Sequence, residues 1–350
     1  QHKLNEAQLA MAGSFTGLLS GSAAELRAAT ATAVGRLQQK TLAPVLFQMF
    51  QNRNQPSLVR QAALRSLAKL ETADLKTALE LALEDADVEL RKVSQQLIGE
   101  VKLPAEDVVS MLSKVLENAS LAEKQKAINS LAVLQGAAGE TLVNTLLDQL
   151  MAGDLAPELS LDLLQVVDEM KSEELTAKKA AYEASKPEGD VLAEYQESLA
   201  GGNMRKGGRL FFMDNSAQCI RCHAVKGYGG EVGPDLTYIA DELTREQLLE
   251  SLVDPNARLA PGYGTVSLTL EDGQEVIGTL IEENDQVLTV KVGEGDPQQI
   301  AATSIKNKQY LPSAMITMRD VLSKSELRDL MSFLMLLSKD SKVDLQQLLQ

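Results

Sequence analysis

Five consecutive residues, Cys219 to His223, hold most of the side chains in this chain that could do chemistry. Cys219 and Cys222 are the only cysteines among 350 residues, and His223 is one of two histidines. The spacing C-x-x-C-H is typical of covalent haem attachment, in which two thiols bond to the vinyl groups and the histidine binds the iron. Two intervening residues let both sulfurs reach one face of the porphyrin. The motif therefore predicts one covalently attached haem c.

Other interpretations of these residues need partners that the sequence supplies poorly. A structural zinc site needs four Cys or His ligands, and outside the motif the chain has only His2. A thioredoxin-like dithiol needs a surrounding βαβ unit, which the flanking sequence does not indicate. A disulfide between Cys219 and Cys222 would close a short, strained ring, and chance occurrence of the motif is the last alternative.

The residues around the motif follow a pattern that resembles class I cytochromes c. Apolar residues at helical spacing predict one helix over Met204–Met213 and another over Ser323–Leu337. In that family a glycine of the first helix meets an aromatic residue of the last, and Gly207 and Phe333 are the matching pair. The family also has a proline whose carbonyl accepts the Nδ1–H of the ligating histidine, which Pro234 matches. The resemblance implies that this bond fixes the ring orientation.

A closer resemblance covers about residues 200 to 340. The chain is similar there to the PVC-type cytochrome c domain of planctomycete and verrucomicrobial bacteria, in the runs GPDLTYIADELTREQLLESLVDPNARLAPGYG and SAMITMRDVLSKSELRDLMSFL. That domain has an extra β segment before the distal ligand. Here, turn residues separate short runs rich in Val, Ile, Leu and Thr. We predict a small, curled antiparallel sheet of four strands: Thr265–Leu270, Glu275–Ile281, Val287–Val292 and Gln298–Ala302.

The second axial position of the iron has several candidate ligands. His2 is the only other histidine, which leaves methionine as the natural candidate beside lysine, water or an open site. The resemblance implies a distal methionine between the β segment and the last helix, where residues 313–316 read SAMI. We predict Met315, with Met318 as the alternative. The related domain usually reads SLMP there. His/Met ligation favours the ferrous state and a moderately high reduction potential.

The first half of the chain is rich in Ala, Leu, Gln and Glu and has almost no strand signal. A repeat is visible there, because Arg27, Arg60 and Arg91 occupy equivalent positions at nearly equal intervals along the chain. A degenerate copy follows at residues 122–134. The pattern resembles HEAT-type helical repeats, although its period is shorter than usual, and an unrelated helical bundle is the alternative. A solenoid would present an extended surface to partners.

Together these features predict a mainly α chain with two domains. We expect a HEAT-like α-solenoid over residues 1–185 and a linker over 186–202. A class I cytochrome c fold should follow over residues 203–340, with the small antiparallel β insertion at about 264–305. Residues 341–350 would form a C-terminal tail.

The charge of the chain limits its partners. A net charge of −15 argues against nucleic acid. Residues 271–296 carry eight acids against one lysine, whereas residues 205–228 carry five bases against one acid. We expect these bases to steer an acidic redox partner toward the haem edge, incidental clustering being the alternative. The five bases are Arg205, Lys206, Arg209, Arg221 and Lys226.

The function predicted is single-electron transfer through one His/Met-ligated haem c, with the repeats as a docking scaffold and no catalytic residue. The alternatives are an electron-accepting subunit or fragment of a larger secreted sugar or alcohol dehydrogenase complex, and an open-site peroxidase or sensor. No apolar run is long enough to predict a membrane span. No signal peptide is visible, but bacterial haem c attachment takes place outside the cytoplasm. We therefore expect a periplasmic or otherwise extracytoplasmic protein that is processed or is part of a longer chain.

Overall fold

A computed structural model describes residues 13–134, 136–260, 262–293 and 295–345. These residues are mostly helical and divide into two compact units. The first unit lies within Gln1–Leu155 and Asp162–Lys179, and the second within Ala156–Leu161 and Ala180–Gln350. Among the described residues, no helix has both the length and the apolar character needed to cross a membrane. His2 and the last residues of the predicted C-terminal tail lie outside the described ranges.

The N-terminal region is a succession of helices joined by short turns. Alanine and leucine at helical spacing form the buried face of these helices, and the core contains residues such as Leu46, Leu64, Leu79 and Leu112. The helices are α1 (Ala24–Arg36), α2 (Ala43–Gln51), α3 (Ser57–Leu70), α4 (Leu75–Leu83), α5 (Val88–Ile98), α6 (Ala105–Asn118), α7 (Leu121–Leu131), α8 (Ala137–Ala152), α9 (Pro157–Met170) and α10 (Glu173–Ala184).

The repeated basic residue has the same structural task in each copy. It lies in the first turns of a helix and donates a hydrogen bond to a backbone carbonyl near the end of the preceding helical segment. Such carbonyls have no partner within their own helix, so a side-chain donor satisfies them. Lysine replaces arginine in the degenerate copy. The pairs are Arg27 with Gly21, Arg60 with Phe50, Arg91 with Asp85 and Lys124 with Glu117, at 2.7, 2.8, 2.9 and 3.1 Å.

Ion pairs connect successive repeats through the same arginines. Arg60 contacts Asp85 at 2.5 Å, and the two side chains are only 7% and 8% exposed. Arg91 contacts Glu123 at 2.7 Å. The hydrogen bond from Arg60 holds the pKa of the Asp85 carboxyl below its ordinary value. Arg60 and Arg91 therefore each bond to the end of the preceding helical segment and form an ion pair with the repeat that follows.

The helical elements of the second unit are α11 (Val191–Glu194), α12 (Met204–Met213), α13 (Cys219–Cys222), α14 (Ile239–Glu242), α15 (Arg245–Val253) and α16 (Lys324–Leu334). Helices α12 and α16 cross with their backbones nearly in contact. A Cβ atom added to Gly207 would lie 1.9 Å from the carbonyl oxygen of Asp329 and 2.9 Å from Cβ of Phe333. Beside this crossing, the rings of Phe211 and Phe333 pack at 5.5 Å. A glycine is therefore required on α12.

The stretch predicted as a linker, 186–202, lies within the second unit and packs on α16. Ser198 Oγ donates to the carbonyl of Lys324 at 2.9 Å. Glu197, with a side chain only 1% exposed, accepts hydrogen bonds from Tyr182 at 2.6 Å and from Lys186 at 3.0 Å. Burial alone would raise the pKa of the Glu197 carboxyl, but the bonds from Lys186 and Tyr182 outweigh it and lower that pKa. Burial and Glu197 together raise the pKa of Tyr182.

A five-stranded antiparallel sheet lies between α15 and α16 in the chain. After a short hairpin of two-residue strands, β1 (Ala224–Val225) and β2 (Tyr228–Gly229), the strands of this sheet are β3 (Gly264–Leu270), β4 (Glu275–Glu283), β5 (Val287–Lys291), β6 (Gln298–Ala301) and β7 (Ile305–Tyr310). Their order in the sheet is β6-β5-β4-β3-β7, and one face covers a small core that includes Val266, Leu268 and Val290. Register shifts in β3 and β4 bend the sheet, as β-bulges do. A short 3₁₀ turn, Ala302–Ser304, joins the two edge strands.

The sequence predicted four strands for this sheet, but the sheet has five, so the predicted number was wrong. Strand β7, IKNKQY, is almost entirely solvent-exposed and has no alternation of apolar and polar residues. It is held by pairing with β3, in a register from Val266 opposite Tyr310 to Leu270 opposite Ile305. Because hydrogen bonds to β3, a strand distant in the sequence, hold β7 in place, the residues of β7 do not by themselves predict a strand. The small antiparallel sheet itself is confirmed, whereas the class I cytochrome c fold stays a prediction.

Candidate functional site

The C-x-x-C-H residues begin in a single helical turn, α13, directly after α12. Asp214 ends α12, where its Oδ1 accepts hydrogen bonds from Ser216 N and Ala217 N, both at 2.8 Å. Gln218 then takes a left-handed conformation, with φ of 48°, and turns the chain into α13. Cys219 is half-buried and Cys222 exposed, and neither forms a disulfide. Both thiols are therefore available for covalent bonding.

The Cys219 thiol lacks the lowered pKa that the attacking thiol of a redox-active dithiol needs. Burial raises the pKa of the Cys219 thiol to about 11. Reactive dithiols need the opposite shift, because the thiolate is the attacking species. The first cysteine of the motif is thus a protonated thiol at neutral pH, which argues against the dithiol interpretation.

His223 follows α13 and is oriented by the backbone of a later residue. Its Nδ1 lies 2.9 Å from the carbonyl oxygen of Pro234. Since that nitrogen must donate a proton to the carbonyl, Nε2 is the nitrogen with a lone pair for a metal. The ring packs directly on Gly233, where an added Cβ would lie 2.6 Å from the ring Cε1. The Pro234 carbonyl and Gly233 together fix the orientation of the imidazole ring of His223.

The glycine loop, residues 229–234, is joined to the motif by main-chain hydrogen bonds. Gly230 N donates to the carbonyl of Ile220 at 2.9 Å, and Gly233 N donates to that of Cys222 at 2.7 Å. A Cβ on Gly230 would lie 2.0 Å from the carbonyl oxygen of Arg221. Side chains at these glycines would separate the loop from the motif. The glycines therefore let two backbone segments form one rigid site.

Met315 belongs to the methionine loop, residues 311–317, which runs from β7 to a 3₁₀ turn, Met318–Asp320. Its side chain is half-buried and packs against the same core cluster as Cys219. Met318, the alternative ligand, is 3% exposed and lies inside that core. Ser313 N in this loop donates a hydrogen bond to Oδ1 of Asn256, which lies 57 residues earlier in the chain. An Asp-Pro-Asn run after a helix predicts only a turn, so this contact could not be predicted from the sequence.

The structure thus brings His223 and Pro234 into direct contact, keeps Cys219 and Cys222 in the adjoining helical turn, and packs Met315 against the same core cluster as Cys219. Within the described ranges, no group of three or more His, Cys, Asp or Glu side chains could hold a metal ion. A zinc site has no ligand set in this part of the chain. Haem iron, in contrast, can be held by one histidine, with or without a second axial ligand from the protein.

Two clefts of notable size lie elsewhere, among the helices of the N-terminal region. The larger, with a volume of 760 Å³, is lined by residues of α3, α5 and α7, and the other, of 610 Å³, by residues of α4 to α7. Their lining residues include acids, bases and amides but neither cysteine nor histidine. The chemistry predicted from the motif is therefore not located in these clefts.

The basic residues predicted near the motif are all solvent-exposed in α12, α13 and the β1–β2 turn. Large apolar side chains are exposed in the same segments and in the glycine loop. Met213 is 60% exposed, Tyr228 65% and Val232 72%. Ile316, next to Met315, is 53% exposed. The segments around the motif therefore present both positive charge and apolar surface to solvent, and the methionine loop adds an exposed apolar side chain.

Comparison with known protein families supports the N-terminal part of the resemblance. A family model described as HEAT repeats matches residues 15–99. No cytochrome c domain is detected, and no curated protein matches the chain. The HEAT-like repeat prediction is confirmed for that region, and the cytochrome resemblance stays a prediction.

Proposed function

We propose that the second unit is a mono-haem c-type electron-transfer module. The observation that carries this proposal is the geometry of the motif: two unbonded thiols in one helical turn, followed by a histidine whose Nδ1 lies 2.9 Å from the Pro234 carbonyl. A haem bound there supplies reversible one-electron chemistry at iron. Cys219 and Cys222 would tether the ring, and His223 would supply a nitrogen ligand to the iron through Nε2. The Pro234 carbonyl makes that nitrogen a stronger ligand.

A class I cytochrome c fold is part of the proposal. It is supported by the contact of Gly207 with the backbone of α16 and by the packing of Phe333 there, which are the contacts that the resemblance implies. Helix α16 begins with a capping box formed by Ser323 and Glu326, so its start is well defined. The motif follows α12 after a short turn. The crossing therefore fixes the position of the site relative to the core.

Met315 is proposed as the second axial ligand. A residue that contacts a haem face should be half-buried in the protein alone, because the haem covers the remaining surface. Met315 meets this requirement, whereas Met318 is enclosed by protein atoms. Met318 is better explained as a core residue that fills an irregular space. The Met315 thioether would leave the iron low-spin and favour its ferrous state.

The module would exchange electrons with a protein partner. The five exposed bases around the motif favour an acidic partner, and the exposed apolar groups beside them would be buried in the encounter. The helical repeats would serve as the docking scaffold. Haem c attachment outside the cytoplasm implies an extracytoplasmic, periplasmic location for this function.

The first test is the visible spectrum of the purified native protein, oxidised and reduced, with a pyridine haemochrome assay. We expect one covalent haem c and, in the oxidised form, the weak red charge-transfer band of a methionine–iron bond. Met315→Ala should lose that band and become high-spin while it keeps its covalent haem. Met318→Leu, a matched change in the core, should keep the band. A protein without haem contradicts the proposal, and a band that survives Met315→Ala contradicts the ligand.

A further inference from the structure

Helix α15 ends in a turn that fixes the position of Asn256. The carbonyl of Asp254 accepts a hydrogen bond from Ala257 N at 3.0 Å, and its carboxylate accepts one from Asn256 N at 3.1 Å. Asp254 closes the turn from both its backbone and its side chain, as Asx turns do. The backbone of Asn256 is therefore held by α15, a helix whose Leu248, Leu249 and Leu252 lie in the main core of this unit.

The side chain of Asn256 reaches the methionine loop. Its Oδ1 accepts a hydrogen bond from Ser313 N at 2.8 Å. The Oγ of Ser313 in turn accepts one from Met315 N at 3.2 Å. At the start of the loop, Leu311 N donates to the carbonyl of Thr265 at 2.8 Å. The loop is neither helix nor strand, so these bonds fix its backbone in the absence of a regular ladder.

We infer that Asn256 is a positioning residue for the Met315 thioether, an inference that rests on the proposed function. Methionine has three rotatable side-chain bonds and no stiffness of its own. Its sulfur stays on the iron only if the backbone at residue 315 is held. Two hydrogen bonds connect that backbone to helix α15: Met315 N donates to Ser313 Oγ, and Ser313 N donates to Asn256 Oδ1. Without the Asn256 acceptor, the loop spends a larger fraction of time open.

The magnitude follows from the loss of one neutral hydrogen bond. Such a bond shifts a two-state equilibrium by about fivefold. An external ligand that competes with methionine binds only to the open form, so its apparent affinity rises with the open fraction. Imidazole is a suitable competitor for ferric iron. We therefore expect Asn256→Leu to bind imidazole about fivefold more tightly than the wild type.

The experiment is an imidazole titration of the full-length ferric holoprotein, followed by loss of the red charge-transfer band. Asn256→Leu removes the acceptor at similar size, whereas Asn256→Asp keeps an oxygen acceptor and should bind imidazole like the wild type. Asn284→Leu is the matched control, because Asn284 Oδ1 also accepts backbone hydrogen bonds, but from Gln286 N and Val287 N in the β4–β5 turn rather than from the methionine loop. Ser313→Ala removes the acceptor of the hydrogen bond from Met315 N and should also tighten imidazole binding. This variant provides a second test if Asn256→Leu does not accumulate as folded protein.

The outcomes separate this inference from the function on which it rests. A wild-type protein without covalent haem overturns both. A wild type with the methionine band, together with unchanged imidazole affinity in Asn256→Leu and Ser313→Ala, overturns the positioning role alone. Equal tightening in Asn256→Asp and Asn256→Leu also overturns it, since the Oδ1 acceptor would then not be the cause.

Discussion

Replacing Gly207 with alanine would insert a methyl group where helices α12 and α16 touch. The added carbon would lie 1.9 Å from the carbonyl oxygen of Asp329, far inside the 3.4 Å at which ordinary van der Waals contact begins. The obstacle is backbone on both sides, so no side chain can rotate away to relieve it. One helix must therefore move.

The cost of that movement can be worked from the contacts at the crossing. Inserting a methyl group into a packed core costs about 1–3 kcal/mol through strain. A gap of about 0.5–1 Å forfeits about a quarter to a half of the dispersion energy of the atoms it separates. Phe333 and Phe211 are each at most 1% exposed and would lose part of their packing. We expect Gly207→Ala to lower the free energy of unfolding of this unit by at least about 3 kcal/mol.

Tyrosine fluorescence during urea unfolding of the full chain measures this quantity selectively. All six tyrosines lie between residues 182 and 310, within the second unit, and the chain has no tryptophan. Far-UV circular dichroism on the same samples follows the helices of both units. The tyrosine transition of Gly207→Ala should move to much lower urea, while the remaining helical signal unfolds as in the wild type.

Lys206→Ala is the matched control, because it places the same methyl group on an exposed position of the same helix. Its tyrosine transition should lie within about 0.5 kcal/mol of the wild type. A Gly207→Ala protein as stable as this control would refute the inference that the two backbones are in contact. It would also remove one support for the cytochrome c fold.

Two further predictions concern buried charges, one in each unit. Glu197→Gln should lower the stability of the second unit by about 2 kcal/mol, because the buried Lys186 ammonium keeps the Glu183 carboxylate but loses its contact with that of Glu197; a tyrosine transition shifted by less than about 1 kcal/mol would contradict this. Asp85→Asn should destabilise the first unit and change its pH dependence. Since the Asp85 pKa is lowered on folding, its bond to Arg60 stabilises the native state above the ordinary carboxyl pKa. That contribution is lost as pH falls through the pKa of Asp85 in the folded protein. The difference in unfolding free energy between wild type and Asp85→Asn, measured by far-UV circular dichroism, should therefore become smaller below about pH 4.

The features that can be recognised in the sequence are local or periodic. The motif, its histidine and the glycine loop lie within one short stretch of the chain, so their types and order are visible together. The helical repeat was visible because each copy needs a donor for the carbonyls at the end of a preceding helical segment, and that need recurs with the repeat. In the fourth copy, Lys124 donates this hydrogen bond in place of an arginine, which explains why the sequence of that copy looks degenerate.

The features that the sequence did not predict depend on contacts between distant segments. Strand β7 is stabilised by pairing with β3 and carries polar, exposed side chains. Asn256 acquires its role only because the chain returns beside it 57 residues later. Glu197 is one of many glutamates, and nothing in its neighbours indicates that Tyr182 and Lys186 enclose it. Residue type and spacing carry no information on such encounters.

The glycine loop has a consequence for how this surface could diversify. It is attached to the motif through main-chain groups, at Gly230 and Gly233, while Glu231 and Val232 between them are exposed. Substitutions at residues 231 and 232 would leave the attachment intact. The protein could therefore acquire a different charge or shape beside the motif, and with it a different binding preference, without altering the geometry of His223.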